Sequence, residues 1–276
     1  MKIPGRTTAL AVTLLLFTQS SPLQKPVHLQ TRPAAPMAPS ADRHKEAKLQ
    51  ARKMVKELVA QQNIPGLSVA VAVDGEIVWS EGFGFADLET RVEVRPLTRF
   101  RVGSVSKLLT AAGVARLYDQ GRLDLDAPVQ RYMPAFPKKD QEITTRQLAG
   151  HLAGIRHYSR EEFINTQRYN SVSESLRIFQ DSPLLHAPGT KYSYSTYGYT
   201  LISAVLEGAS GQDFLSYMQE QVFRPLKMES TGADDNQRII PDRTRFYSRN
   251  ASGQWGERAV HRQQQQVGGG RFPLDC

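Results

Sequence analysis

Hydrophobic residues recur at helical spacing in the segment that begins near Ser40. Lysine and arginine occupy its other faces, and its apolar face is made by Ala47, Ala51, Met54, Val55, Leu58 and Val59. An apolar stripe among polar residues is typical of an amphipathic helix packed on a core. Serine is a preferred N-cap because its hydroxyl accepts a hydrogen bond from a first-turn N–H, so Ser40 is the predicted cap.

Two β-rich runs follow this helix at residues 66–73 and 76–85, and only Asp74 and Gly75 separate them. An Asp-Gly pair between such runs predicts a β-hairpin, because both residues tolerate the positive φ angles of a tight turn. The first run is apolar at nearly every position, which is typical of a strand covered on both faces. The expected arrangement is therefore a sheet enclosed by helices.

The first residues of the chain have the pattern of a secretory signal peptide. Lys2 and Arg6 precede an apolar run at residues 7–17, and small and polar residues follow it. A membrane-spanning helix needs about 20 apolar residues, so this shorter run predicts a cleaved signal peptide at residues 1–21. An uncleaved membrane anchor is the alternative. Cleavage implies a periplasmic or secreted protein without stable membrane insertion.

The rest of the chain divides into a linker and one domain. Residues 22–40 are rich in proline and alanine and show no hydrophobic period, which predicts an extended linker. Residues 41–276 form a segment long enough for one domain with a substantial core.

Positive charge is concentrated towards the beginning of the chain. The whole chain has 35 Lys+Arg and 27 Asp+Glu, of which residues 1–62 hold ten and three respectively. Since the remainder is nearly neutral, the sequence does not predict a nucleic-acid-binding face. A basic arm that binds an anionic surface stays open as an alternative.

The sequence contains no recognisable pattern of a metal-binding or cofactor-binding site. The single cysteine, Cys276, excludes an intramolecular disulfide framework and a cysteine-based zinc cluster. His151 and His157 have no third ligand at a suitable spacing, which favours loop packing over metal binding. Neither a metal ion nor another cofactor is therefore expected.

The first chemical signal is the pair Ser104 and Lys107, three positions apart at the start of a predicted helix that ends before Gly121. The apolar face predicted for this helix consists of Leu108, Leu109, Ala112, Ala115 and Leu117. Residues three apart share a helix face, so the lysine amine can reach the serine hydroxyl. Burial at the positive end of a helix favours a neutral amine, which could accept the serine proton. The plainer alternative is a capping serine and a solvated lysine.

A second segment, residues 188–199, carries Tyr194, Thr196 and Gly198 and leads into another helix-like stretch. Together the two segments resemble the serine β-lactamase and penicillin-binding-protein superfamily, in the branch that includes class C β-lactamases, D,D-peptidases and esterases. Further similar stretches lie at residues 65–66, 121–128 and 144–157. Within that branch, threonine at position 196 and the stretch from His151 resemble most the mitochondrial serine β-lactamase-like subgroup.

The resemblance implies a role for each motif residue. Ser104 would be the acylated nucleophile, Lys107 its activating partner, and Tyr194 the general base or proton shuttle. Thr196 stands where the family usually has asparagine and would contact the substrate with a single hydroxyl, which puts recognition of a substrate amide in question. A tyrosine with an ordinary pKa of about 10 can act as a base only where cations stabilise its phenolate.

The implied fold is α/β in the loose, α+β sense: an antiparallel sheet flanked by helices, with a mostly helical insert at about residues 104–225. The implied function is that of a serine hydrolase that acts through an acyl-enzyme. Its substrate would be an amide or ester, either a β-lactam, a D-Ala peptide or a small ester or peptide. The resemblance implies no prediction of oligomeric state.

The sequence departs from the family after Tyr194. The family's third motif, a Lys/His-Thr/Ser-Gly triplet on a strand, does not occur there. The expectation from this departure is a domain that is incomplete at its C-terminus. It also leaves open a second class of function, in which the chain is a catalytically impaired binding or scaffold protein.

Overall fold

The computed structural model describes residues 44–163, 167, 169–235 and 238–257. The signal peptide predicted for residues 1–21 and the linker predicted for residues 22–40 lie outside these residues and stay predictions. No helix in the described part of the chain combines the length and the apolar character needed to cross a lipid bilayer.

The predicted amphipathic helix and β-hairpin are both present. Helix α1 spans Lys45–Gln61, strand β1 spans Gly66–Val73 and strand β2 spans Glu76–Asp87. The cap position of α1 is occupied by His44, so the prediction of Ser40 as the cap is wrong, because a serine can cap only the helix that starts directly after it.

The turn between β1 and β2 has the geometry that its sequence predicts. Asp74 and Gly75 have φ angles of 52° and 83°, as a tight hairpin turn requires. Strand β3, Val92–Glu93, pairs with β2, and the three strands form an antiparallel sheet in the order β1-β2-β3. Helix α1 packs on β2, where Arg52 forms an ion pair with Glu81 at 2.8 Å.

The prediction that β1 is covered on both faces is wrong for the described residues. Val71 and Val73 are 41% and 38% exposed. Strand β1 is also the edge of this three-stranded sheet and pairs only with β2 among the described strands. A run of apolar residues indicates the β conformation here but not the neighbours of the strand.

Residues between the first sheet and residue 225 are mainly helical, as predicted. The helices are α2 (Ser106–Asp119), α3 (Thr145–Ala149), α4 (Arg160–Phe163), α5 (Val172–Ser175), α6 (Thr196–Ser210) and α7 (Phe214–Met218). Helix α6 is the centre of this part, because its Leu201, Ile202 and Val205 are fully buried and α2, α3, α5 and α7 contact it. The α+β class and the helical insert are confirmed.

Helix α2 buries only part of the predicted face, in which Leu117 is fully buried and Leu109 packs against the core. Leu108 is 71% exposed, whereas Lys107 is 5% exposed and Thr110 is 1% exposed. Gly113 allows this, since Tyr217 and Met218 of α7 pack close to its Cα and Tyr217 Oη donates to its carbonyl at 2.8 Å. Hydrophobicity alone misassigned the face because polar side chains form part of the buried one.

The last described segment returns to the region before Ser104. Strands β4 (Tyr247–Arg249) and β5 (Trp255–Glu257) form an antiparallel pair. Just before β4, the Arg99 N–H donates to the carbonyl of Asp242 at 2.8 Å, and the Thr244 N–H donates to the carbonyl of Arg99 at 3.0 Å. This segment therefore anchors the backbone that leads into the Ser104 turn.

Candidate active site

Ser104 lies in a single turn of 3-10 helix, Gly103–Val105, that runs directly into α2. Gly103 has a φ of 52°, in the left-handed region that favours glycine, and it is buried. The hydroxyl of Ser106 donates to the Gly103 carbonyl at 2.5 Å and fixes this turn. The turn holds the Ser104 side chain at the N-terminal end of α2, where the helix dipole contributes positive potential.

Side chains from α2 and from the loop before α6 contact the Ser104 hydroxyl. Tyr194 Oη lies 2.7 Å from Ser104 Oγ, and Lys107 Nζ donates to the same oxygen at 3.1 Å. Lys107 comes one helical turn after Ser104, as the spacing predicted, and its burial excludes the alternative of a solvated lysine. The structure thus brings all three predicted catalytic residues together.

The loop before α6 places Tyr194 next to the serine. Ser195 is the N-cap of α6, and its Oγ accepts a hydrogen bond from the Gly198 N–H at 3.0 Å. The same Oγ donates to the carbonyl of Arg156 at 2.8 Å. On the other side of Tyr194, the Ser193 N–H donates to the carbonyl of His151 at 2.8 Å. Hydrogen bonds on both sides therefore fix the backbone of Tyr194.

The surroundings of Tyr194 favour its phenolate. Burial by itself raises the pKa of this phenol, but hydrogen bonds to Lys107 and Ser104 and the positive charge of Lys107 outweigh that effect. The net result is a pKa of Tyr194 below its ordinary value. Lys107 Nζ also lies 5.0 Å from the centre of the Tyr194 ring and 5.7 Å from that of Tyr199.

His151 and His157 contact the site, which the sequence analysis did not foresee. The ring centre of His151 lies 4.5 Å from that of Tyr194, and the ring centre of His157 lies 5.5 Å from it. Burial lowers the pKa of each imidazole, and the positive charge of Lys107 lowers it further. Among the described residues, no group of three or more His, Cys, Asp and Glu side chains could hold a metal ion.

Thr196 is the first residue of α6 and is 7% exposed. Its N–H donates to Nδ1 of His157 at 3.1 Å, so its backbone is held by a ring that also contacts Tyr194. The role of its side chain in substrate binding stays a prediction.

The hydrogen bonds at Ser104 provide a path for its hydroxyl proton to Tyr194. Lys107 donates to Ser104 Oγ, while in the hydrogen bond between Ser104 Oγ and Tyr194 Oη either oxygen can be the donor, so the serine hydrogen can be directed to Tyr194. A phenolate stabilised by a lysine cation can remove this proton as a general base. The arrangement is therefore suited to activate Ser104 as a nucleophile.

Comparison with known proteins agrees with this geometry. A family model described as Beta-lactamase matches residues 51–271. The serine beta-lactamase-like protein LACTB, mitochondrial, of Mus musculus is 33% identical over 290 residues, which cover 78% of this chain and 52% of that protein. Protein flp of Staphylococcus aureus (strain N315) is 25% identical over 190 residues, which cover 67% of this chain and 38% of that protein. The chain spans about half the length of the first relative and less of the second.

The fold is similar to that of a solved structure, the octameric penicillin-binding protein homologue from Pyrococcus abyssi. The TM-score is 0.70 at 24% sequence identity, and the match covers 80% of this chain and 52% of that one. This likeness supports the fold, and the family model covers well over half of the sequence. The chain belongs to the β-lactamase family, within the serine β-lactamase and penicillin-binding-protein superfamily that its two motifs predicted.

Proposed function

We propose that the protein is a serine hydrolase that acts through an acyl-enzyme on an amide or an ester. The observation that carries the proposal is the position of Ser104 Oγ, within hydrogen-bond distance of both Tyr194 Oη and Lys107 Nζ. A nucleophile beside a base, with a cation that stabilises the base, is the arrangement that covalent catalysis requires.

Acylation follows from these contacts. Ser104 Oγ forms a bond to the acyl carbon of the substrate while its proton passes to Tyr194 Oη and the carbonyl electrons move onto oxygen. Tyr194 then gives the proton to the leaving alkoxide or amine, the carbonyl re-forms, and the bond to the leaving group breaks.

Deacylation uses the same residues. Water attacks the ester of Ser104, its proton passes to Tyr194, and Tyr194 returns a proton to Ser104 Oγ as the carboxylic acid leaves. The positive charge of Lys107 stabilises the phenolate in both half-reactions.

Substrates of three kinds fit this chemistry: a β-lactam, a D-Ala peptide, and a small ester or peptide. Thr196 offers one hydroxyl where asparagine would offer an amide donor and a carbonyl acceptor. Fewer hydrogen-bonding groups for a substrate amide favour the small ester.

Labelling of Ser104 tests the proposal. Purified protein is incubated with a fluorescent alkyl phosphonate, a fluorescent penicillin or a nitrophenyl ester, and the intact mass is measured. We expect a covalent adduct on the wild-type chain and on Ser80→Ala, which removes an exposed hydroxyl from β2, but none on Ser104→Ala. Equal labelling of Ser104→Ala, or no adduct with any reagent, would refute the assignment, and the second result favours a binding or scaffold protein.

A further inference from the structure

The two backbone amides that follow Tyr194 are both bound by histidine rings. The Ser195 N–H donates to Nδ1 of His151 at 3.2 Å, and the Thr196 N–H donates to Nδ1 of His157 at 3.1 Å. Both histidines come from the segment between α3 and α4, about 40 positions earlier in the chain. Consecutive amides are thus held by two side chains of one distant loop.

These hydrogen bonds define the chemical form of both rings. A ring nitrogen that accepts a hydrogen bond from an N–H carries no proton of its own. Each imidazole is therefore neutral, with its single hydrogen on Nε2. Protonation of either Nδ1 would place two hydrogens against each other and break the contact with the amide.

We propose that His151 and His157 are positioning residues, which hold Tyr194 against Ser104 through the two following amides and do so only while both imidazoles are neutral. The inference rests on the proposed function, since it assigns a role in the same site. Neither ring takes the serine proton in this mechanism, because Tyr194 Oη already accepts it.

The backbone of His151 supports this role. Its φ of 58° lies in the left-handed region, which a non-glycine residue occupies at an energetic cost. Its carbonyl accepts from the Ser193 N–H at 2.8 Å, while its ring accepts from Ser195. One strained residue thus binds the chain on both sides of Tyr194.

Charged and titratable groups face the two rings from several elements. Lys107 faces them from α2 and disfavours a further positive charge. The tyrosine rings that contact the histidines come from the loop before α6, from α6 itself and from the histidine loop, and they are Tyr192, Tyr194, Tyr199 and Tyr158. Of these, the proposed base Tyr194 would favour a positive imidazole only when it is ionised itself. Arg156, next to His157, is paired with Glu162 at 2.7 Å. Protonation is therefore opposed, and it occurs only as the pH falls below the ordinary histidine value of 6.5.

Two variants of His157 distinguish the effect of protonating its ring from the effect of losing its hydrogen bond with the Thr196 N–H. In His157→Asn, Oδ1 lies near the position of Nδ1 and accepts from Thr196 without being able to take a proton. In His157→Leu the acceptor is lost. His44→Asn, in the cap position of α1, is the matched control. The rate of phosphonate labelling of Ser104 is measured from pH 5 to pH 9 for all four proteins.

We expect wild type and His44→Asn to lose labelling below the histidine pKa more steeply than ionisation of Tyr194 alone explains. His157→Asn should keep the rate at neutral pH and lose the part of this additional decline that comes from His157, while the part that comes from His151 stays. His157→Leu should label on the order of 10- to 100-fold more slowly at every pH, because a buried amide loses its acceptor. A rate for His157→Leu equal to that of wild type, or an unchanged acid limb in His157→Asn, would overturn the proposal.

A measurement without substrate distinguishes this proposal from the proposed function. Long-range ¹H–¹⁵N NMR of the wild-type protein should show both rings with the hydrogen on Nε2, and absorbance titration should show a higher pKa of Tyr194 in His157→Leu. If these results hold while wild type is not labelled, the hydrolase assignment fails and the positioning role stands. A hydrogen on Nδ1 of either ring at neutral pH would refute the positioning role directly.

Discussion

Ser104 Oγ and Tyr194 Oη lie 2.7 Å apart, although 90 positions separate the two residues in the chain. The serine is fixed at the start of α2 and the tyrosine directly before α6, and these two helices pack on each other in the core. Lys107 is buried, with its Nζ within 6 Å of the ring centres of both Tyr194 and Tyr199. The geometry of the site therefore depends on the packing of α2 against α6.

Replacement of Tyr194 by phenylalanine should remove the base and leave the fold intact. We expect acylation of Ser104 to slow by about 10²–10⁴-fold, which is the usual contribution of a general base. Rates of phosphonate labelling and the unfolding temperature are measured together. Tyr192→Phe, which removes a hydroxyl from a side chain that is 62% exposed, should change neither quantity. Similar rates for the two variants would show that Tyr194 is not the base.

Replacement of Lys107 by methionine should shift the pH dependence of acylation to more alkaline pH. Hydrogen bonding and the charge of Lys107 lower the pKa of Tyr194 against the opposing effect of burial, so their loss raises that pKa. The base is active when ionised, so the rate increases with pH through this pKa in both proteins, but at a higher pH in the variant. We also expect the rate at neutral pH to fall on the order of 100-fold. An unshifted profile would contradict the role of Lys107.

The sequence was sufficient to predict which residues meet at the candidate site, because their two motifs are local and together resemble a known family. Ser104 and Lys107 lie one helical turn apart, and Tyr194 lies in a motif just before a helix. The contacts of His151 and His157 were not predictable in this way, because each ring binds a backbone amide some 40 positions away, and any residue except proline provides such an amide. The pattern of apolar residues also failed to predict most of the buried face of α2, because that face includes the polar side chain of Lys107.

Gly208 in α6 should not tolerate a side chain. A Cβ built there would lie 1.8 Å from the carbonyl oxygen of Tyr132, which is a backbone atom that cannot turn away. Alanine gains about 1 kcal/mol from helix propensity, but overpacking against a backbone costs about 3 kcal/mol. We therefore expect Gly208→Ala to lower the free energy of unfolding by about 2 kcal/mol in urea denaturation. Gly232→Ala, with no atom within 4 Å, should be nearly neutral, and equal effects would contradict the predicted clash.

The buried ion pair of Arg101 and Asp234 should be a main determinant of stability near the site. The side chains are 6% and 3% exposed, and Arg101 Nε donates to Asp234 Oδ2 at 2.5 Å. Removal of the carboxylate deprives the buried Arg101 guanidinium of its ion pair with Asp234, so Asp234→Ala should lower the free energy of unfolding by about 3–5 kcal/mol. The control is Glu57→Ala, which breaks an exposed pair with Lys53 and should cost less than about 1 kcal/mol. Urea denaturation of both variants measures the difference, and a loss for Asp234→Ala no larger than that of the control would contradict a stabilising role for the pair of Arg101 and Asp234.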